Sequence, residues 1–441
     1  MMVDLPFAAV QGCRILGTKG TGKTRELIAR VMGLLAQGTA PEDILVLAAT
    51  PTSALRFREL LVEACAGDGA TGEGEAGTLA RQAGLVPVTT ARQLALDLLD
   101  TEAAHAATGR HSRMITAFES AMVMEDMKTC GMQVKRLREM LKFLERGWTE
   151  FSDENPSWLI DNEERDLQAL YRDYLALYEV MPEAEIANLA LKYLRFDEGA
   201  LEAARRPWVF MDDYQLMNRT SQLLGLLVAG RMVTIAADGF ATAPVFDSYP
   251  YAAGIEEFSS LVEGVQTLRL AGCKRGTDMA RITEKVLVNG GFVEADAAMR
   301  AEDSPADGAA FTLLEAPSPK QEFAEIVSWV EGRLAAGTAA EDVAIIHPDA
   351  PLWGRYAVQA LEAAGHEVSV LPDARGLAGD PRKPETSTAM QLASLLLLAG
   401  DAEDSLAWRC WCGYGDWLTE SATFETLRRY AGENRDRKSV V

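Results

Sequence analysis

The sequence predicts an α/β fold in which a parallel sheet carries a phosphate-binding loop. Short continuous apolar runs, such as residues 13–16 (CRIL) and 44–48 (ILVLA), are typical of strands that helices cover on both faces. Residues 17–24 (GTKGTGKT) match the pattern G-x-x-x-x-G-K-[ST] in full. After Thr24, apolar residues recur at the spacing of one helix face. This order of strand, glycine-rich loop and helix indicates a nucleotide site.

The glycine-rich loop contains the residue types that phosphate binding requires. Glycines let backbone N–H groups approach phosphate oxygens without an intervening Cβ, and the start of a helix adds unpaired N–H groups. In this pattern the lysine reaches the β- and γ-phosphates, and the final threonine holds Mg²⁺. The alternative is a glycine-rich turn that only caps a helix, which does not explain the register of the lysine and threonine. The predicted binding residues are Gly17, Gly20, Thr21, Gly22, Lys23 and Thr24.

Composition and charge limit the class of protein. A chain of 441 residues is expected to form about two to four domains, because a single core of this size is uncommon. No apolar run is long enough for a membrane span. The net charge of −22 excludes a surface that is broadly attractive to phosphate, so nucleic-acid contact is expected only in a local groove.

The N-terminus and the cysteines favour a cytoplasmic protein. The first residues (MMVDLPFAAV) lack the positively charged segment of a secretory signal. The six cysteines are scattered, and no histidine lies near the one close pair, Cys410 and Cys412, which argues against a zinc site. We therefore expect reduced thiols.

Strands and helices alternate up to residue 100. A helix is predicted over residues 53–65, and a strand over residues 86–90 leads into a helix over residues 91–99. Residues 66–84 are rich in glycine and acidic residues, and we predict that most of them form a mobile surface loop.

Residues 101–200 predict a helical insertion. Amphipathic patterns replace the strand-like runs in this stretch. Three tyrosines recur there at core-like spacing and are expected to pack rather than bind a ligand. They are Tyr171, Tyr174 and Tyr178.

The strand pattern returns with residues 208–211, which lead into two consecutive aspartates. Carboxylates at the C-terminal end of a buried strand stand where an α/β nucleotide site needs them. Asp212 can hold Mg²⁺, and Asp213 can orient or deprotonate the water that attacks the γ-phosphate. The alternative is that both acids cap a helix. A further strand is predicted over residues 233–237.

A second α/β pattern begins near residue 308. Helices are predicted over residues 321–334 and 353–364, and residues 386–432 are predicted to be helical. The strands of this part are predicted at residues 311–314, 343–346 and 368–371.

These segments, in this order, resemble superfamily 1 helicases of the UvrD/Rep type from residue 10 onward. The phosphate loop followed by Arg25 is similar to the family's GAGSGKTR. Residues 50–61 (TPTSALRFRELL) are similar to TNKAAREMRERV, and residues 90–99 (TARQLALDLL) to TFHSLALRLL. Residues 211–218 (MDDYQLMN) resemble VDEYQDTN, and residues 270–276 (LAGCKRG) resemble LxxNYRS.

The resemblance implies a RecA-like P-loop NTPase parallel sheet with a helical insertion, followed by a partial second RecA-like α/β domain. We expect residues 1–100 and 201–300 to form the first RecA-like domain and residues 101–200 its insertion. Residues 301–385 are expected to form the partial second domain. Residues 386–441 are expected to be a helical segment that starts a second insertion.

The resemblance also implies ligands and residue roles. ATP and Mg²⁺ are the implied cofactors, with Arg25 joining the phosphate loop and with Thr24 and Asp212 at the metal. The implied catalytic residues are Asp213, Gln215, which couples the γ-phosphate to motion, and Arg275, which faces the γ-phosphate across a cleft. The implied contacts to single-stranded DNA are Thr50, Thr52, Arg56, Thr90, Arg92 and one of Phe246, Tyr249 or Tyr251.

Departures from the family pattern affect the expected activity. Asp213 stands where the family has glutamate, and the missing methylene would displace the attacking water by roughly 1–1.5 Å, which can cost about a hundredfold in rate. The family's GDxxQSIYxFRGA segment should follow residues 233–237, but its glutamine is lacking. The family's last two motifs have no counterpart. We therefore expect either a fragment of a longer protein or a protein that has lost the full motor.

Three functions follow as hypotheses. The first is an ATP-binding DNA helicase or DNA-dependent ATPase that acts on single-stranded DNA in repair or recombination. The second is a catalytically weak scaffold subunit of a helicase–nuclease assembly, which the acidic charge and the eroded motifs favour. The third is a P-loop kinase or other small NTPase, which explains the loop and the acid pair but not residues 50–61.

Overall fold

The computed structural model describes residues 5–67, 75–239, 247–270, 272, 277–291, 312, 314–347, 353–370, 377, 384–414, 426, 429 and 430. The chain forms two compact units, one of Met1–Asp307 with Arg375–Val441 and one of Gly308–Ala374. The strand predicted at residues 311–314 lies largely outside the described residues.

The first unit contains a six-stranded parallel sheet, which confirms the predicted α/β class. The strands lie in the order β3-β2-β4-β5-β1-β6, and each neighbouring pair is parallel. The C-terminal ends of all six therefore lie along one edge of the sheet. The strands are β1 (Gln11–Leu16), β2 (Ile44–Ala48), β3 (Val88–Thr89), β4 (Arg206–Asp212), β5 (Ala229–Ala237) and β6 (Glu263–Arg269).

The helices of the described residues, in chain order, are α1 (Lys23–Ala36), α2 (Pro51–Ala66), α3 (Glu75–Leu85), α4 (Ala91–Leu99), α5 (Glu102–Thr108), α6 (Ala117–Met127), α7 (Val134–Thr149), α8 (Asn162–Leu177), α9 (Glu183–Phe196), α10 (Glu198–Ala204), α11 (Arg219–Leu227), α12 (Gly254–Leu261), α13 (Thr277–Asn289), α14 (Pro319–Ala335), α15 (Arg355–Ala363), α16 (Pro384–Gly400) and α17 (Ser405–Gly413). None of these helices has the length and apolar content that a membrane span requires.

Burial explains which strands the sequence predicted. Every residue of β2 is buried, and its bounds agree with the predicted apolar run. β6 was not predicted, because this edge strand exposes polar residues and has no apolar pattern.

The prediction of a loop over residues 66–84 was wrong for its second half, which belongs to α3. Leu79 and Ala80 pack against the core between α1 and α2, and Ala83 is fully buried. Tertiary burial of this apolar stripe outweighs the glycine-rich composition that suggested a loop.

Helices α6, α7 and α8 form a second hydrophobic core, whereas α5, α9 and α10 pack in the core of the sheet. Trp148 is fully buried and stacks on Tyr171 with ring centroids 5.7 Å apart. Tyr174 and Tyr178 are also buried, so the packing role predicted for these tyrosines is confirmed.

The C-terminal helices α16 and α17 complete that core. Leu406 and Cys410 are buried in the same cluster as Trp148. Arg409 on α17 forms a buried ion pair with Asp126 on α6, with Arg409 Nη2 2.5 Å and Nε 3.0 Å from the two carboxylate oxygens. The Tyr414 hydroxyl donates to the Phe118 carbonyl oxygen.

The described residues of the second unit include the α-helices α14 and α15, which aromatic side chains join. The Phe323 ring on α14 lies 5.8 Å from Trp353 and 6.2 Å from Tyr356 on α15. The strands predicted at residues 343–346 and 368–371 are not formed in the described part of this unit. Ile346 is 92% exposed and Val370 is 65% exposed, so these apolar segments lack the pairing and cover that stabilise a strand.

We predict that Arg409→Met lowers the free energy of unfolding by about 3–5 kcal/mol, because the buried Asp126 carboxylate loses the cation that pairs with it. The double variant Asp126→Asn with Arg409→Met should recover most of this loss. Urea unfolding followed by circular dichroism checks both. Simple addition of the two single-variant effects would contradict a coupled pair.

Candidate functional site

Close backbone contacts shape the loop between β1 and α1. Gly20 and Gly22 have φ angles of 88° and 93°, in the left-handed region that favours glycine. A Cβ on Gly17 would lie 2.4 Å from Thr21 Oγ1, so a larger residue would displace the loop. Thr21 Oγ1 itself donates to the Thr18 carbonyl oxygen at 2.8 Å. The loop therefore turns tightly onto the N-terminus of α1, where backbone N–H groups point outward from the helix.

Lys23 is the first residue of α1 and is only 8% exposed. Its Nζ donates to the Thr18 carbonyl oxygen at 3.0 Å. Burial lowers the pKa of the Lys23 amine, and the carboxylates of Asp238, Asp213 and Asp212 oppose that shift. One buried lysine therefore lies in the field of three carboxylates.

Thr24 joins the loop to the end of β4. Its Oγ1 donates to Asp212 Oδ2 at 2.8 Å, although β5 lies between β1 and β4 in the sheet. The second oxygen, Asp212 Oδ1, accepts from the backbone N–H of Asp213 at 3.1 Å. A hydroxyl and a carboxylate, both hard oxygen ligands, thus meet beside Lys23.

The turn after β4 carries Asp213 and Gln215, the predicted catalytic residues that lie within the described part of the chain. Asp213 has a φ of 51°, an uncommon left-handed conformation for a non-glycine residue. Gln215 is fully buried, and its Oε1 accepts from the backbone N–H of Asp238 at 3.0 Å. Gln215 therefore ties the end of β4 to the end of β5.

Burial dominates the protonation of Asp212. Desolvation, and next the neighbouring Asp213 carboxylate, raise the pKa of Asp212 to about 7, while the hydrogen bond from Thr24 opposes this rise. A divalent cation would favour the ionised form, because its charge replaces the lost hydration.

The residues at this edge fit a magnesium–nucleotide complex. The loop offers a glycine cradle, the lysine offers an ammonium group, and Thr24 with Asp212 offers oxygen ligands. No group of three or more His, Cys, Asp and Glu side chains suited to a metal occurs in the described parts of the chain. Such a group is not needed when the nucleotide phosphates supply further ligands.

The predicted DNA contacts follow β2 and β3 at the same edge. Thr50 and Thr90 are the N-caps of α2 and α4, and each side chain accepts a backbone N–H bond. Thr52 and Arg56 are exposed on α2, where Arg56 pairs with Glu59 at 3.1 Å. Thr90 is 6% exposed and the Arg92 side chain is 11% exposed, so both are largely buried.

The remaining predicted residues divide between surface, loop and undescribed positions. Arg25 is exposed on α1. Arg275 and Phe246 lie outside the described residues. The Tyr249 hydroxyl donates to the Lys142 carbonyl oxygen at 3.2 Å, and the Tyr251 ring lies 5.5 Å from the Arg219 guanidinium.

Sequence reasoning missed Asp238 and Thr18. Asp238 is buried and exerts the largest charge effect on Lys23, and Thr18 supplies the carbonyl that Lys23 contacts. The position of Asp238 directly after a predicted buried strand was the available signal.

We predict that Asp212→Asn stabilises the nucleotide-free protein more at pH 8 than at pH 5. The raised pKa means that the folded state retains a proton that the unfolded state releases, so wild-type stability falls as pH rises from 4 towards 7. Asparagine removes this loss, on the order of 2–4 kcal/mol at pH 8. Urea midpoints at both pH values measure the difference.

The control for this experiment is Asp97→Asn, which changes an exposed carboxylate on α4. It should alter stability by less than about 0.5 kcal/mol at either pH. An equal effect of Asp212→Asn at pH 5 and pH 8 would contradict the buried, proton-retaining carboxylate.

Comparisons with known proteins are consistent with this geometry. The family model for the UvrD/REP helicase N-terminal domain matches residues 7–239, which is more than half of the chain and contains β1 to β5. A search of curated proteins gave no match. Helicases of this family use ATP and Mg²⁺ and bind DNA. The chain therefore belongs to the UvrD/REP helicase family.

Proposed function

We propose that this protein is a DNA-dependent ATPase or helicase that binds ATP with Mg²⁺ and acts on single-stranded DNA in repair or recombination. The observation that carries this proposal is the 2.8 Å contact between Thr24 and Asp212, beside the buried Lys23. It joins the phosphate loop to the acid that ends a different strand, β4. A cytoplasmic location accompanies this proposal.

The side chains at the C-terminal edge of the sheet have different roles in the proposed ATP hydrolysis. Lys23 neutralises charge on the transferring phosphate, and the loop N–H groups hold its oxygens. Mg²⁺, held by Thr24 and Asp212, supplies further charge neutralisation when bound. Asp213 accepts a proton from the attacking water, and Gln215 connects this site to the end of β5 through Asp238. Arg25 and Arg275 add positive charge in this proposal.

Single-stranded DNA would follow the C-terminal edge past β2 and β3. Thr50 and Thr90 sit at helix N-termini, where hydroxyl and backbone N–H groups bind phosphate without reading sequence. Thr52 and Arg56 extend this path on α2, and Arg92 extends it on α4. Tyr249 or Tyr251 offers a ring on which a base can stack.

We propose the corresponding domain organisation. Residues 1–100 and 201–300 form the first RecA-like domain, and residues 101–200 are its helical insertion. Residues 301–385 form part of a second RecA-like domain, and residues 386–441 start a second insertion. The separate compact unit Gly308–Ala374 supports the assignment of a second domain to residues 301–385.

We predict that Lys23→Ala weakens MgATP binding about 10- to 100-fold, because a hydrogen bond to a charged group contributes about 1.5–3 kcal/mol. Lys19→Ala, which removes an exposed lysine from the same loop, is the matched control and should change affinity by less than about threefold. Titration calorimetry measures both. Absence of wild-type binding at millimolar MgATP would rule out the proposed function.

We predict that Asp213→Asn lowers kcat for ATP hydrolysis by about 10²–10⁴-fold, because the amide cannot accept the proton. Nucleotide affinity should stay within about threefold, since Asp213 acts on the water. Asp213→Glu, which restores the family's side chain, should retain turnover. Phosphate release with and without a single-stranded oligonucleotide gives the rates. Equal rates for wild type and Asp213→Asn would contradict the role.

A second candidate function is a scaffold subunit of a helicase–nuclease assembly. The engaged arginines favour it: Arg56 pairs with Glu59, and Arg92 pairs with Glu183 and Asp247. The net charge of −22 acts in the same direction. ATP binding that single-stranded DNA does not stimulate, together with co-purification of a partner, would support this candidate. Duplex unwinding by the chain alone would exclude it.

A further inference from the structure

Asp247 is a buried carboxylate that the proposed mechanism does not use. It lies beyond β5, and its side chain is 7% exposed. Asp247 Oδ2 accepts from the backbone N–H of Asn218 at 3.2 Å and from Ser221 Oγ at 2.8 Å. Both donors lie at the N-terminus of α11, where the helix dipole favours a negative charge. The Asp247 carboxylate thus stabilises the N-terminus of α11 through these two hydrogen bonds.

The start of α11 is also the end of the turn that carries Asp213 and Gln215. This turn is short: the Leu216 N–H donates to the Asp213 carbonyl oxygen at 2.9 Å, and Asn218 follows two residues later. The segment after Asp247 closes over it, because the Tyr251 N–H donates to the Met217 carbonyl oxygen at 2.9 Å. A shift of Asn218 would therefore move the turn.

Gln222 on α11 reinforces the same attachment. It is 2% exposed, and its Nε2 lies 2.9 Å from the Tyr214 carbonyl oxygen and 2.8 Å from that of Tyr251. The turn and the segment that follows Asp247 therefore share one buried amide. A buried amide left without these partners would cost about 1–3 kcal/mol, which makes both attachments rigid.

The second oxygen of Asp247 faces the predicted DNA side. Arg92 Nη2 lies 3.5 Å from Asp247 Oδ1 and 2.5 Å from Glu183 Oε1 at the first residue of α9. Arg92 is the second residue of α4, two residues after the cap Thr90. The Asp247 carboxylate thus contacts both α4, which follows β3, and α11, which follows the turn that carries Asp213 and Gln215.

We propose that Asp247 is a positioning residue that holds the Asp213–Asn218 turn in the conformation that ATP hydrolysis requires and links that turn to α4. This inference rests on the proposed ATP hydrolysis. Asp247 is not among the residues assigned above to nucleotide or DNA. It acts through Asn218 and Ser221 on one side and Arg92 on the other. Removing its charge leaves the phosphate loop intact and loosens the turn.

The test uses the full chain with Asp247→Asn, and Ser221→Ala as a milder variant that keeps the charge. In Asp247→Asn, kcat for ATP should fall about tenfold while KM for MgATP stays within about twofold, because sub-ångström misplacement affects chemistry more than binding. Amide exchange of the peptide covering residues 213–218 should become about fivefold faster, and that of residues 17–24 should not change. Ser221→Ala should show a smaller change of the same kind.

The matched control is Asp153→Asn. The Asp153 side chain is 2% exposed, accepts from Asn188 Nδ2 at 2.8 Å and pairs with Lys192, and both of these partners lie on α9, outside residues 213–218. It should leave both kcat and the exchange of residues 213–218 unchanged. Unchanged exchange in Asp247→Asn, or an equal change in Asp153→Asn, would overturn the proposal.

The exchange measurement separates this inference from the proposed function. If the wild-type protein binds MgATP without turning it over, the hydrolytic role proposed for Asp213 fails. Exchange of residues 213–218 in Asp247→Asn then still decides whether Asp247 holds the turn. If exchange changes but kcat does not, the turn is held by Asp247 without serving catalysis, and the positioning role is overturned.

Discussion

The parallel register of the sheet is the constraint on which the site depends. Because β1 to β5 all run in one direction, the phosphate loop, Asp212, Asp238, Thr50 and Thr90 lie at or just after strand ends on one edge. The 2.8 Å bond between Thr24 and Asp212 joins residues that belong to opposite sides of β5 and requires that register. A slip of one residue would turn Asp212 to the other face of the sheet.

Three carboxylates act on one lysine at this edge. Lys23 lies in the field of Asp212, Asp213 and Asp238, and desolvation raises the pKa of Asp212 to about 7. Ionising a buried carboxylate is costly, and sites that retain such groups commonly do so for chemistry. A divalent cation would offset this cost at Asp212, which gives a physical reason for the acid to remain in a chain that is already strongly acidic.

Local patterns sufficed for elements that are fully buried or sharply capped. The apolar run of β2 and the helix α4, with its Thr90 cap, agree with their predicted bounds. The failures have one cause, which is that tertiary partners decide the outcome. Burial of Ala83 makes α3 a helix despite its glycine-rich surroundings, and residues 343–346 form no strand with any described segment despite an apolar sequence. The phosphate loop was recognisable from spacing alone, whereas Asp247 follows no motif and is identified only by its contacts with Asn218 and Arg92.

The state of the arginines restricts how DNA could be held under the proposed function. Arg92 is desolvated and paired, so its release would leave Glu183 and Asp247 uncompensated. Neutral donors carry no such penalty: the hydroxyl and helix N-terminus at Thr50 can meet phosphate without breaking an ion pair, whereas Thr90 is only 6% exposed. Arg92 links α4 to α9 and to the segment that follows β5, and DNA phosphate would have to compete with both carboxylates for it. A movement of α4 on DNA binding would be transmitted to the turn that carries Asp213 through Asp247, because one Asp247 oxygen contacts Arg92 and the other contacts Asn218 and Ser221.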